Sequence, residues 1–115
     1  MENSPKSRIE EVKKPVKVFL SQPMRGFTDE EIRTRRDNDI KQLYEYFGEP
    51  IELIDTIFEQ NATAKHIPVE YLARSIAEMA NADYVAMSYG FEQARGCLIE
   101  HKIAEEYGIS IIYLN

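Results

Sequence analysis

The chain carries a single cysteine, Cys97, in 115 residues. That excludes an internal disulfide framework and any metal site built from several thiolates. No apolar run approaches the roughly 20 residues of a membrane span, and the N-terminus lacks the apolar core of a signal peptide. Positive charge is also scarce: 14 Lys+Arg stand against 20 Asp+Glu, a formal net charge of −6. This balance argues against sequence-independent binding to DNA, RNA or an anionic membrane, each of which needs a basic field. A single small anion needs only a few local donors and is not excluded. The two histidines, His66 and His101, fall in no E-x-x-H or H-x-H pattern, and no C-x-x-C is present, so neither a bound metal nor a cofactor is expected. Internal repeats and low-complexity segments are absent. What is left is a small acidic protein, expected in the cytoplasm, with length for one core.

Residues 1–14 are polar and charged without apolar periodicity and read as a solvated tail, leaving 15–115 as one domain. Order is expected to begin at Val16-Lys17-Val18-Phe19-Leu20, a β-branched and aromatic run suited to a buried strand. Pro23 and Gly26 stop it. Thr28 with Glu31 three residues on forms a capping box, and Asp29, Glu30 and Glu31 suit the positive end of the helix that follows. Ile32, Ile40, Leu43, Tyr44 and Phe47 give that helix its apolar stripe, with Arg36 on the same side as a snorkelling cation; Gly48 and Pro50 end it. A second strand is expected at 51–54, a loop at 58–66, and a second helix from Pro68 with Val69, Leu72, Ile76, Met79 and Ala80 facing inward. A third strand at 84–88, a turn at 89–95, a third helix at 96–107 and a last strand at 110–114 complete the chain.

The order β-α-β-α-β-α-β implies a parallel sheet covered on both faces. Right-handed crossovers then favour a three-layer, Rossmann- or flavodoxin-like doubly wound sheet in the order 2-1-3-4. Ligands of such sheets bind outside the carboxyl ends of the strands where the order reverses, here between the first and third strands. The loops at 21–28 and 88–95 border that point.

Glu100 is the most informative residue near it. It shares a helical face with Ile103, Ala104 and Tyr107, and an inward carboxylate needs a reason because its unpaired burial is costly. In the first turn of a helix it is favoured in its ionised form and could attack an anomeric carbon. The alternative is that it caps free N–H groups of its own helix. Arg25 and Gly26 lie before a helix N-terminus, a generic anion site, or else form a turn with a solvated arginine. The run from Tyr89 to Gly96 supplies aromatic faces for stacking, Gln93 for a base edge and Arg95 for a second anion contact, or else a well-packed turn without a ligand. Cys97 fits a small packed side chain better than a reactive thiol. Asp83 fits a turn residue.

Two runs, Val18-Phe19-Leu20-Ser21-Gln22-Pro23-Met24-Arg25-Gly26 with Thr28-Asp29-Glu30-Glu31, and Gly90-Phe91-Glu92-Gln93-Ala94-Arg95-Gly96-Cys97-Leu98-Ile99-Glu100-His101, resemble a family of short phage and bacterial proteins of undefined function that is nucleoside 2-deoxyribosyltransferase-like. More distantly the chain is similar to nucleoside 2-deoxyribosyltransferases and deoxynucleoside 5′-monophosphate N-glycosidases. The resemblance implies that Glu100 is the nucleophile that forms a covalent deoxyribosyl–enzyme intermediate. It sets Ser21, Met24, Arg25 and Gly26 along sugar and base and Arg95 and Gly96 near a 5′-phosphate; Gln22, Tyr89 and Gln93, from the same two loops, are counted with them as substrate-binding candidates. It also implies a nucleoside or nucleotide as partner and a homo-oligomer that completes each site. One departure stands out. Those enzymes carry an aspartate in the helix before the third strand, and counting back from Asp83 that position is Ser75. A hydroxyl cannot serve as an acid near neutral pH, so Asp55 or Glu92 would have to substitute, or the fold binds a nucleotide without cleaving it.

Overall fold

The computed structural model describes residues 14–54 and 61–115. The expected tail, apart from Lys14, lies outside the described residues, as do Asp55 and the start of the loop placed at 58–66. Four parallel strands, β1 (Lys17–Ser21), β2 (Glu52–Ile54), β3 (Tyr84–Met87) and β4 (Ser110–Tyr113), form one sheet in the order β2-β1-β3-β4. This is the expected doubly wound arrangement. Phe19 is in register with Ile54 on one side and Val85 on the other, and Val85 with Ile111.

Three helices connect the strands: α1 (Asp29–Phe47), α2 (Ile67–Met79) and α3 (Arg95–Glu106), with a short 3₁₀ turn at Phe91–Gln93 before the last. The period of two along a strand sends alternate side chains to opposite faces. Val18, Leu20, Ala86 and Ile112 pack with Leu43 of α1 on one face. Phe19, Val85 and Met87 pack with Met79 of α2 and Cys97 and Ala104 of α3 on the other. The same alternation continues past the strand ends, where it decides which residues can meet.

Local sequence explains the helix boundaries. The capping box forms as expected: the Glu31 amide donates to Thr28 Oγ1 at 3.1 Å and the Thr28 amide to Glu31 Oε1 at 2.8 Å. α2 starts one residue before Pro68, with His66 as its N-cap. Asp83 is a turn residue, as expected, and exchanges bonds with Lys17: the Lys17 amide donates to Asp83 Oδ2 and the Asp83 amide to the Lys17 carbonyl, both at 2.8 Å.

Four expected inward positions are corrected, the first being Ala80, the exposed C-cap of α2. Val69 is 63% exposed, because the one buried residue of α2 is Met79 at its far end. Tyr107 is 81% exposed: it is the C-cap of α3, with φ −107°, and has left the helical stripe. Tyr44 is 47% exposed beside a fully buried Leu43, so the inward line of α1 runs through Leu43 and not its neighbour. Among the described residues no helix is long and apolar enough to cross a membrane.

Leu43 contacts the sheet from the middle of α1's inward line, so Leu43→Ala is expected to lower the unfolding free energy by about 2–5 kcal/mol in urea titrations. Tyr44→Ala, one residue on, is expected to cost less than about 1 kcal/mol. Equal losses would show that α1 is packed in another rotation.

Candidate functional site

The carboxyl ends of β1 and β3 meet at the switch point, and the Ser88 amide donates to the Ser21 carbonyl at 2.9 Å. Alternation turns the Ser21 side chain toward α3 and those of Gln22 and Ser88 toward α1. Each serine finds a carboxyl group there. Ser21 Oγ donates to Glu100 Oε1 at 2.5 Å, and Ser88 Oγ donates to Asp39 Oδ2 at 2.6 Å, both pairs buried. The edge of the sheet thus holds two serine–carboxyl pairs, one on each face.

Glu100 is the sixth residue of α3, which begins at Arg95. It therefore lies in the second turn, beyond the free amides of the helix start. Its hydrogen bond among the described residues is with Ser21 and not with its own helix, so the reading of Glu100 as a helix cap does not hold. Burial pushes its carboxyl above the ordinary value, opposed by the Ser21 hydrogen bond. The expectation that the helix start keeps it readily ionised is corrected on this point: Glu100 lies past the first turn, and removal from water raises its titration. The residue keeps 7% of its surface open, which leaves a narrow approach to a carboxylate held from one side. Cys97, one turn earlier, is buried, and burial pushes its thiol up to about 11, with Ser21 acting against the shift and the Glu100 charge adding to it. At neutral pH it is a packed thiol and not a nucleophile.

The other expected site residues divide. Gln22 is buried, and its Nε2 donates to the Ile32 carbonyl at 2.8 Å, on the α1 side of the sheet and away from Glu100. Met24, Arg25 and Gly26 are exposed on the loop that follows. Gly26 has φ +91° and no protein atom within 4 Å of an added Cβ; its left-handed backbone serves the Met24–Phe27 turn, in which the Phe27 amide donates to the Met24 carbonyl at 3.1 Å. Tyr89 and Gln93 are exposed, and Arg95 opens α3 from the surface. Among the described residues Arg25, Gln93 and Arg95 make no side-chain hydrogen bond or ion pair. Phe91 is half-buried, its ring centroid 5.1 Å from that of His101 and 5.9 Å from that of the exposed Tyr113. Glu92 is exposed in the 3₁₀ turn, and Ser75 is half-buried in α2.

The two helix starts at this edge differ. At α1 the capping box occupies the amides and Asp29, Glu30 and Glu31 fill the first turn, so the anion site anticipated beside Arg25 is opposed by three carboxylates. At α3 the N-cap Ala94 offers no side chain and the first turn has no acid. Anion-binding capacity lies at the α3 end.

Asp39 was not read from the sequence. It sits on the line Ile32, Arg36, Asp39, Leu43, at helical spacing within the stripe already recognised, and this spacing was the available signal. It is fully buried, its Oδ1 has no partner, and burial pushes its carboxyl up against the opposing effects of the Ser88 bond and the Arg35 charge. Arg35 was also missed. A groove of about 580 Å³ runs between α1 and the loop after β1, lined by Gln22, Phe27, Ile32, Arg35 and Asn38 among others. Glu100 does not line it. Among the described residues no three His, Cys, Asp or Glu side chains gather as a metal site would require.

One family model matches residues 16–113, that of a domain of unknown function, DUF4406. The chain belongs to this family. The match runs from β1 to β4 and so includes both serine–carboxyl pairs. No curated protein and no solved structure matches the chain.

Glu100 supplies a test that needs no ligand. Its carboxyl titrates higher in the folded than in the unfolded chain, so ionising it costs stability above the folded value, and the cost vanishes below the ordinary value of 4.5. The melting temperature of Glu100→Gln minus that of the native protein is therefore expected to grow as pH rises from 4.5 toward 8. A difference that stays flat over this range would show an unperturbed carboxylate.

Proposed function

We propose that this chain cleaves the N-glycosidic bond of a nucleoside or nucleotide, or transfers its 2-deoxyribosyl group, with Glu100 as nucleophile. The observation that carries this reading is the Ser21–Glu100 pair: a buried carboxylate, held through one oxygen at 2.5 Å, at the edge where parallel α/β sheets take their ligands. The hydroxyl fixes the carboxylate and leaves its second oxygen to act. That oxygen attacks C1′ of the sugar as the bond to the base breaks, and the bonding pair leaves with the base nitrogen. The glycosyl ester is then opened by water, or by a second base in transfer. Arg95 and the uncapped start of α3 suit a 5′-phosphate, and Tyr89, 65% exposed, offers a ring for stacking. The resemblance of the two loops to nucleoside 2-deoxyribosyltransferase-like proteins supports the same assignment. A homo-oligomer belongs to the proposal, and Ile67 and Val69 of α2 with Leu98 and Ile99 of α3, all exposed and on helices of one face, are the surface it would use.

Ser75 favours a second reading. No acid stands there to protonate the departing base, so the same edge could hold a nucleotide intact. A chromatographic screen of deoxynucleosides and their 5′-monophosphates, with and without an acceptor base, separates the two. Catalysis predicts released base, a loss of at least ~10³-fold in Glu100→Gln, and an acidic limb of the rate profile above 4.5, since the nucleophile must be ionised and burial raises its titration. Intact ligand with a raised melting temperature identifies a binding module. Base release by Glu100→Gln at the native rate would overturn the nucleophile.

A further inference from the structure

Helix α1 reaches across the sheet edge to the connection between β3 and α3. Asp39 Oδ2 accepts the Ser88 hydroxyl at 2.6 Å, and one turn earlier Arg35 Nη1 donates to the carbonyl of the next residue, Tyr89, at 2.8 Å, with its guanidinium 5.9 Å from the Tyr89 ring centre. Ser88 is the first link of a chain of turns. Its amide donates to Ser21, its carbonyl accepts from the Phe91 amide at 3.2 Å, the Phe91 carbonyl from Ala94 at 3.0 Å, and the Ala94 carbonyl from Leu98 at 3.0 Å. Where Ser88 sits therefore decides where α3 starts and where Glu100 points. Gly90, with φ +83°, makes the bend between the first two links. Asp39 is fully buried with one oxygen unpartnered, at a place in the stripe where an aliphatic side chain would stabilise the fold more. A buried group that breaks the local pattern in this way marks a position kept for what it holds.

We propose that Asp39 and Arg35 are positioning residues, which fix Ser88 and Tyr89 from the α1 side and so hold the 88–98 connection that brings Glu100 to Ser21. The proposal rests on the reading of Glu100 for its catalytic consequence, but its structural content is tested without activity.

Amide hydrogen exchange of the full chain, followed residue by residue, is the first measurement. In Asp39→Ala the amides of Phe91, Ala94 and Leu98 are expected to exchange about tenfold faster, with Val85 and Ala86 of β3 changing less than about twofold. Asp39→Asn keeps an oxygen for the Ser88 hydroxyl and is expected to restore the three amides to within about threefold of native. Arg35→Met keeps the stem and opens no cavity, so it tests the Tyr89 contact should Asp39→Ala fail to fold; it too is expected to speed exchange at Phe91. The second measurement is base release, in which Asp39→Ala is expected to lose about tenfold in kcat with KM moving less than about threefold, and Asp39→Asn to recover most of it. Equal acceleration across connection and sheet, or no rescue by Asp39→Asn, overturns the positioning role. Absence of base release from the native protein overturns the Glu100 reading alone, since the exchange measurements still decide the role of Asp39 and Arg35.

Discussion

A single backbone hydrogen bond, from the Ser88 amide to the Ser21 carbonyl at 2.9 Å, closes the pairing of β1 and β3 at the edge where the two buried serine–carboxyl pairs lie. It extends the register in which Ser21 faces Met87. That register fixes on which face each side chain emerges, so Ser21 meets Glu100 on one side while Ser88 meets Asp39 on the other. A slip of one residue would send every one of these groups to the wrong face. Both pairs depend on this rung, and so does the start of α3, which is reached from Ser88 through three successive turns.

The edge is costly to build. Two carboxyl groups are buried, and both are pushed toward their neutral forms by loss of water. Each helix sends only one or two buried apolar side chains to the sheet: Leu43 from α1, Met79 from α2, and Cys97 and Ala104 from α3. They cover the central strands, and Val18, Phe19, Leu20, Val85, Ala86 and Met87 are all sealed from water. A glutamate at a core-facing position of α3 is a cost that this apolar core has to carry. Stability given up locally where a reactive group is held is the usual balance between folding and activity.

The sequence made the sheet legible because its signals were local and mutually consistent. A β-branched run, a capping box and a terminal glycine each mark a boundary without reference to the rest of the chain, and helix-length crossovers leave few strand orders. Glu100 was legible for the same reason, as an acid on an otherwise apolar helical face. Asp39 was not, because an acid among Arg33, Arg35, Arg36 and Asp37 carries no mark of burial even on a recognised stripe, and only contact with Ser88 reveals what its position means. Val69 and Tyr107 misled in the opposite direction. Periodicity says which residues share a face, but not how far along the helix that face stays in contact with the sheet. Gln22 was placed in the correct loop, yet the face it would take depends on alternation past the end of β1.

The asymmetry between the two helix starts gives the net charge of −6 a more specific meaning. Both helix dipoles present their positive ends near the same sheet edge, and on that ground either could receive an anion. Asp29, Glu30 and Glu31 cancel the attraction at α1, while the start of α3 has neither acid nor side-chain cap and carries Arg95. An anionic ligand lying along the edge is thus repelled from one end and received at the other, which orients it before any shape contact is made. On the proposed reading this is the orientation that matters. Glu100 sits one turn beyond the receiving end, so a phosphate held at the start of α3 keeps the attached sugar within the neighbourhood of its carboxylate. The same acidity that argues from the sequence against a polymeric nucleic acid would, on the proposed reading, also select the direction in which a single nucleotide binds.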